Sequence, residues 1–364
     1  MASSPAVEAT ATIPTNDLNS NELFWVRYQP FFESKGYQLR PRYRPGWVRS
    51  WAETQDFSAE DAIGPSLPSL KVLDATRVSD GRVVIFKKID RIQGAKEVEI
   101  TRYLSQESFL NEEHNHCVPL LDLLDPGNES DFIFLVIPLL LYYDEPEFES
   151  VDDAVDFVKQ TLEGLAFMHE KGVAHRDCAR FNILMDYEYL YPEGFHPQRP
   201  GIAKSGKGLA PSRRRHQVPF PKYYFIDFGL SERYPEDYEG PRLVTGLEGQ
   251  DKTVPEIARD DPTYLYDPFK VDIYTLGNVY KNELLSNFRG LEFLAPLANR
   301  MTSEDPADRP SAVEALELFR TSRKRLFPLS LYRRLTPVGQ GFAVALIRDG
   351  LHLTRRAISR RKKA

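Results

Sequence analysis

Residues 70–89 restrict the fold more than any other stretch. Two β-rich runs, LKVLDATRV and RVVIFKKI, flank Ser79-Asp80-Gly81, and such a turn between extended runs reads as a hairpin. The segment AKEVEITRYLSQE that follows has helical spacing at Val98, Ile100, Tyr103 and Leu104. FIFLVIPLLL reads as a buried strand. Ser150, with Asp153 three residues later, forms a capping box ahead of the long apolar-striped helix DDAVDFVKQTLEGLAFMHEKG. After residue 256 the pattern is mostly helical. Strand-rich sequence followed by helix-rich sequence predicts an α+β fold with two lobes, a small β-rich N-lobe and a larger α-helical C-lobe. There is no internal repeat.

Composition narrows the setting. Cys117 and Cys178 are the two cysteines in 364 residues, so no disulfide framework is expected and a reducing compartment is the natural reading. The first 20 residues lack the apolar core and basic residues of a targeting signal. The most apolar run, residues 132–143, contains Pro138 and is too short to cross a bilayer. These features predict a cytoplasmic or nuclear protein. The net charge of −6 hides an asymmetry. Residues 319–364 carry 13 Lys or Arg against the single acid Asp349, so the rest is strongly acidic.

The boundaries follow from these shifts. Residues 1–20, polar and aperiodic, read as a disordered N-terminus. Residues 21–64 form an aromatic-rich extension holding Trp25, Trp47 and Trp51, best explained as packing onto a neighbouring lobe. A main domain spans 65–320, divided into 65–138 and 139–320, with an insertion at 187–222. A basic C-terminal tail occupies 321–364. The Pro- and Arg-rich insertion reads as a disordered loop or, second, as a docking element. The tail mixes short apolar runs with arginines. It reads as a solvated segment or as a contact for an anionic membrane surface or a protein partner. The acidic body makes nucleic acid an unlikely partner.

Five markers carry the chemistry. His175-Arg176-Asp177 is followed after four residues by Asn182. Asp227-Phe228-Gly229 follows the strand-like KYYFI. Val254-Pro255-Glu256, Asp272 in DIYTLG and Arg309 in DPADRPS complete the series. Their order and spacing resemble the protein kinase superfamily over about residues 65–320. The phrases VAHRDC, LYPEGFHP, KYYFIDFGLS and DKTVPE together resemble a kinase-like family of mushroom-forming fungi.

The resemblance implies transfer of the γ-phosphoryl group of ATP, with Mg²⁺, to a hydroxyl of a protein substrate. Phosphoryl transfer is mainly positioning and charge neutralisation. Asp177 is the expected base, and Asn182 and Asp227 are the expected oxygen ligands of the metal. The strand lysine comes from VVIFKKI. Neighbouring strand residues face opposite ways, and the family spacing selects Lys87 over Lys88. Its expected partner is Glu97, which has Ile100 and Leu104 three and seven residues later. If Ile137 lines the nucleotide site, Pro138 keeps a carbonyl and Leu140 an N–H for the adenine. Glu256 with Arg309, and Asp272 under the catalytic loop, are implied to be structural. Arg176 is implied to meet a phosphorylated activation segment, with Tyr234, Tyr238, Thr245 and Thr253 as candidates.

Two departures bear on activity. The glycine-rich loop should have glycines at 65, 67 and 70, where this chain has Pro65, Leu67 and Leu70. Glycine lets the backbone approach the phosphates. Ala179 stands where serine/threonine kinases carry a lysine, and Arg180 is the residue that could supply that charge. A protein kinase with a degenerate loop is therefore the leading reading and an inactive pseudokinase scaffold the alternative. A small-molecule kinase is disfavoured by the Pro-Glu segment with its later arginine.

Overall fold

A hairpin needs further strands and a covered face to be stable in water, and the chain supplies both. In the computed structural model, residues 18–54, 56–64 and 71–361 are described. They fall into two units. The first comprises residues 1–92, 120–139 and 193–211, and the second 93–119, 140–192 and 212–364. Pro65, Leu67 and Leu70 lie outside the described residues, as does the assigned disordered terminus up to residue 17.

The first unit is built on five strands: β1 (Tyr37–Leu39), β2 (Val72–Arg77), β3 (Val83–Asp90), β4 (Asp122–Leu124) and β5 (Phe132–Pro138). They pair antiparallel in the order β1-β2-β3-β5-β4. The expected hairpin is β2–β3, with Val72 opposite Lys87 and Thr76 opposite Val83. Along β3, Val84 and Phe86 are buried on one face. Helix α1 (Ser20–Ser34) covers that face. It begins inside the segment read as disordered because Asn19 and Glu22 form a reciprocal cap, each side chain accepting the other's backbone N–H. Phe32 of α1 stacks on Phe86 at 4.5 Å and meets Phe134 edge-on at 4.8 Å. The aromatic-rich extension thus completes this unit's core. Trp25 is buried there, and Trp47 donates to Asp61 at 2.8 Å.

The insertion is not the structureless loop expected first. Its residues 193–211 belong to this unit and fold through bridges His196↔Arg199 and Ile202↔Leu209. The cause is a buried carboxylate. Asp74 on β2 is 1% exposed and accepts from Arg40 Nε at 2.9 Å and Gln198 Nε2 at 2.6 Å. Arg40 also donates to the Ile63 carbonyl at 2.9 Å and to Glu60 at 3.2 Å. Buried His196 lies 3.5 Å from Glu60. A buried charge must be paired, and here the extension and the insertion supply the partners.

The second unit is mainly helical. Its helices are α2 (Ala95–Leu104), α3 (Glu107–Leu110), α4 (Val151–Glu170), α5 (Pro255–Ala258), α6 (Pro268–Val279), α7 (Ala295–Met301), α8 (Ala312–Lys324) and α9 (Phe342–Arg361). Helix α4 is capped as predicted, with Asp153 accepting from the Ser150 N–H at 2.9 Å, and it packs against α8. Short strands complete the unit: β6 (Leu141–Tyr142), β7 (Val173–Ala174), β8 (Ile183–Met185), β9 (Tyr223–Phe225), β10 (Glu232–Arg233), β11 (Phe288–Arg289) and β12 (Thr336–Pro337). They form the sheet β6-β8-β9 and the pairs β7–β10 and β11–β12. The C-terminal part of the insertion is fixed here. Arg215 is buried and donates to the Tyr143 and Pro146 carbonyls and to the Tyr223 hydroxyl. Among the described residues no helix is long and apolar enough to cross a membrane.

Candidate active site

In the second unit, the β7 and β8 strands bracket the loop 175–182, and β9 leads into Asp227. Asp272 on α6, fully buried, fixes the start of the loop. Its carboxylate accepts from the His175 N–H at 2.7 Å, the Arg176 N–H at 2.6 Å and His169 Nε2 at 3.0 Å. Buried His175 locks the next turn. Its Nε2 donates to the Ile226 carbonyl at 3.0 Å, while its Nδ1 accepts from the Asp177 N–H at 3.3 Å. Arg176 adopts φ +67 in this brace, a conformation that costs a non-glycine residue energy and persists where surrounding bonds impose it.

Asp177 and Asn182 are brought together. Asn182 Nδ2 donates to the Asp177 carboxylate at 2.8 Å and to its carbonyl at 3.0 Å. Gln250, which the sequence reading did not single out, also holds the carboxylate. Its backbone N–H donates to Oδ1 at 2.8 Å and its Nε2 to Oδ2 at 3.0 Å. Gly249 makes this approach possible. It sits at φ +106, and a Cβ there would come within 3.3 Å of the Arg176 carbonyl. No spacing in the sequence marks Gln250, whose partner lies 73 residues away. A carboxylate offers about four lone-pair sites, so these three donors leave it room for one more.

Asp227 follows β9 with φ +63 and ψ +74 and accepts from the Gly229 N–H at 3.3 Å. The Asn182 carbonyl accepts from the Ile226 N–H at 3.0 Å, tying the two loops side by side. Glu97 on α2 is buried beside Gly229, where a Cβ would meet its Oε2 at 3.4 Å. Within the first unit, Lys88 Nζ lies over the Phe24 and Phe132 rings at 4.5 and 4.3 Å. Lys87 therefore projects from the opposite face of β3. Pro138 ends β5 opposite Val84, and Leu140 is half-buried in the second unit.

The donor set suits a hard cation. Asn182 spends its amide hydrogens on Asp177, leaving its oxygen as the acceptor, and Asp227 supplies a carboxylate. Two such oxygens fit Mg²⁺, which takes most of its shell from waters and phosphates. Among the described residues no group of three or more His, Cys, Asp or Glu could form an all-protein cage.

Two expectations change. Arg180 does not supply the missing lysine's charge, because Asp144 at 2.8 Å and Glu283 at 2.7 Å hold its guanidinium. Arg176 already has partners inside the protein through its two terminal nitrogens, while its Nε is buried without one among the described residues. It donates to the carbonyls of Leu230 and Thr245 and to the Tyr266 hydroxyl, with Glu248 at 3.7 Å. The Glu256–Arg309 pair forms as the resemblance implied, bidentate at 2.7 and 2.9 Å and buried. Cys178 is buried too. Burial and the neighbouring Asp272 push its thiol up, which leaves it inert at neutral pH.

Comparison with known proteins agrees with this geometry. The serine/threonine-protein kinase chk1 of Schizosaccharomyces pombe is 28% identical over 169 residues, covering 46% of this chain and 26% of that protein. The calcium/calmodulin-dependent protein kinase type 1 of Caenorhabditis briggsae is 28% identical over 161 residues, covering 41% and 42%. The serine/threonine-protein kinase PkaB of Streptomyces coelicolor is 32% identical over 218 residues, covering 57% and 44%. The chain thus spans less than half the length of each of these relatives. The model of the protein kinase domain matches residues 69–291, more than half of the chain, which takes in Asp177, Asn182, Asp227, Gln250, Glu256 and Asp272 and stops short of Arg309. The chain belongs to the protein kinase domain family.

Proposed function

We propose that the chain is an ATP-dependent protein kinase that transfers the γ-phosphoryl group to a protein hydroxyl. The observation that carries this is the Asp177 carboxylate, held by Asn182 and Gln250 on a loop fixed by Asp272. A carboxylate in that setting can accept a hydrogen bond from the substrate hydroxyl, orient its oxygen and take its proton as the new P–O bond forms and the γ-phosphorus parts from the bridging oxygen, which leaves with ADP. Lys87, with Glu97, would steady the ATP phosphates as a point charge. The Pro138 carbonyl and Leu140 N–H would receive the adenine edge. Asn182 and Asp227 would hold Mg²⁺, which when bound neutralises charge on the phosphate oxygens. Arg180 is held by Asp144 and Glu283 and does not stand in for the lysine absent at Ala179, so the reaction is expected to be slow.

A second reading, a non-catalytic scaffold, draws support from Pro65, Leu67 and Leu70 and from Gln250 standing on the base. One experiment separates the two. The melting temperature is measured with and without millimolar Mg²⁺-ATP for the native chain and for Asp227→Asn, because a ligand of the folded state must raise it. Phosphate incorporation into a mixed protein substrate is followed in parallel for the native chain and Asp177→Asn. The kinase reading expects a Mg²⁺-dependent shift lost in Asp227→Asn and incorporation lost in Asp177→Asn. Absence of any shift would establish the scaffold reading instead.

A further inference from the structure

We infer that α9 is a docking element for an anionic lipid surface, with its arginines taking the phosphodiester headgroups. At 3.6 residues per turn, Ala345, Asp349 and His352 share one side of the helix, and these are its less exposed positions. That side is fixed to the second unit. Asp349 receives Arg334 Nε at 2.8 Å, and His352 Nε2 donates to the Tyr332 carbonyl at 3.1 Å. The opposite side carries Leu346, Ile347 and Leu351, which are 63%, 65% and 49% exposed. Leu353, next to Leu346 around the helix, widens this apolar face and is 57% exposed. A helix anchored by one stripe normally turns polar residues to water on the other. Here the outward stripe is apolar.

Basic groups line its edge. Arg348 and Arg355, one heptad apart, flank Leu351 and border a cavity of about 410 Å³ that is also lined by Arg214, Arg334, His216 and His352. Glu147 and Glu149 lie in the same cavity, but Glu149 is engaged by His216 at 2.5 Å and Arg214 at 3.7 Å. The sequence beyond Arg355 adds Arg356, Arg360, Arg361, Lys362 and Lys363 without an acid. Apolar side chains flanked by arginines along a helix of 20 residues match an interfacial helix, which lies in the headgroup plane with its apolar face at the acyl boundary. Charge complementarity selects anionic over neutral lipid, since each basic group near such a surface adds attraction that salt screens. This inference is independent of phosphotransfer. A catalytically silent chain would dock equally well.

The test is co-sedimentation of the full chain with vesicles of phosphatidylcholine alone or mixed with phosphatidylserine, at low and high salt. Two double variants accompany it, Leu346→Glu with Ile347→Glu and Arg348→Glu with Arg355→Glu. The altered side chains are exposed, so unchanged melting temperatures show that the variants fold. Binding is expected to the mixed vesicles only, to fall with salt, and to weaken at least ~tenfold in each variant. Equal binding to both vesicle types, no binding at low salt, or variants that bind like the native chain would each overturn the inference. Stabilisation by inositol hexakisphosphate without vesicle binding would assign the cavity to a soluble phosphate instead. A native dimer that Leu346→Glu with Ile347→Glu dissociates, again without vesicle binding, would assign the apolar face to a second copy.

Discussion

Glu256→Gln isolates one buried interaction without opening a cavity. Arg309 is buried, and all five of its N–H donors are used. Two meet the Glu256 carboxylate at 2.7 and 2.9 Å, and the others meet the carbonyls of Ser303, Lys270 and Glu304 at 2.8, 3.0 and 3.2 Å. The amide of glutamine keeps one acceptor and turns an NH₂ toward the other guanidinium nitrogen, donor against donor. The guanidinium then stays buried with its charge uncompensated. Removing one partner of a buried pair costs about 3–5 kcal/mol. The three carbonyls remain, so the lower end applies, about 3 kcal/mol. For a cooperative unit of this size each kcal/mol moves the midpoint by roughly 2–4 °C, giving a fall of about 6–12 °C. Differential scanning calorimetry at pH 7 measures it directly. A fall below about 2 °C would show that water reaches Arg309 and that the pair does not anchor the segment around Val254-Pro255-Glu256. Arg309→Lys should fall comparably, because an ammonium offers three donors to five acceptors.

The other predictions address the site, a titration and the insertion. Asp177→Asn should lower phosphate incorporation by about 10²–10⁴ while keeping the Mg²⁺-ATP stabilisation. Gln250→Ala, which spares the backbone donor on Oδ1, should lower it by about tenfold or less. Equal losses in the two variants would refute this division of roles. Burial on α4 pushes the Asp156 carboxyl up to about 7, against an opposing hydrogen bond from Gln160 at 2.7 Å. The folded state therefore holds a proton that the unfolded state releases near pH 4, so stability falls as pH rises from about 4 to 7. Asp156→Asn should raise the melting temperature at pH 8 and leave it nearly unchanged at pH 4; the reverse pattern in scanning calorimetry would refute the sign. Arg40→Ala leaves the Asp74 carboxylate with only Gln198 among the partners described above, so limited proteolysis should cut the segment 193–211 faster than in the native chain.

What the sequence made legible divides by the range of the interaction. The β2–β3 hairpin, the Ser150–Asp153 cap and the opposite facing of Lys87 and Lys88 are set by turn chemistry and by periods of two and 3.6. All of these operate within a few residues and are printed in the letters. The base loop was legible for another reason. The lettering from His175 to Asn182 and at Asp227 resembles that of protein kinases, and Asp272 and Arg309 came with it as the buried braces that hold these loops. The insertion and Gln250 were not legible, because their meaning lies in partners far along the chain. Gln198 finds Asp74 across 124 residues, and Gln250 finds Asp177 across 73. Neither glutamine has a spacing that announces a partner. Arg180 was misread for the same reason. One residue from the missing lysine in sequence, it is drawn by Asp144 and Glu283, 36 and 103 residues away. A charge in a loop goes where an opposite charge is already held. Sequence proximity to a catalytic residue says little about an arginine until the carboxylates around it have been placed.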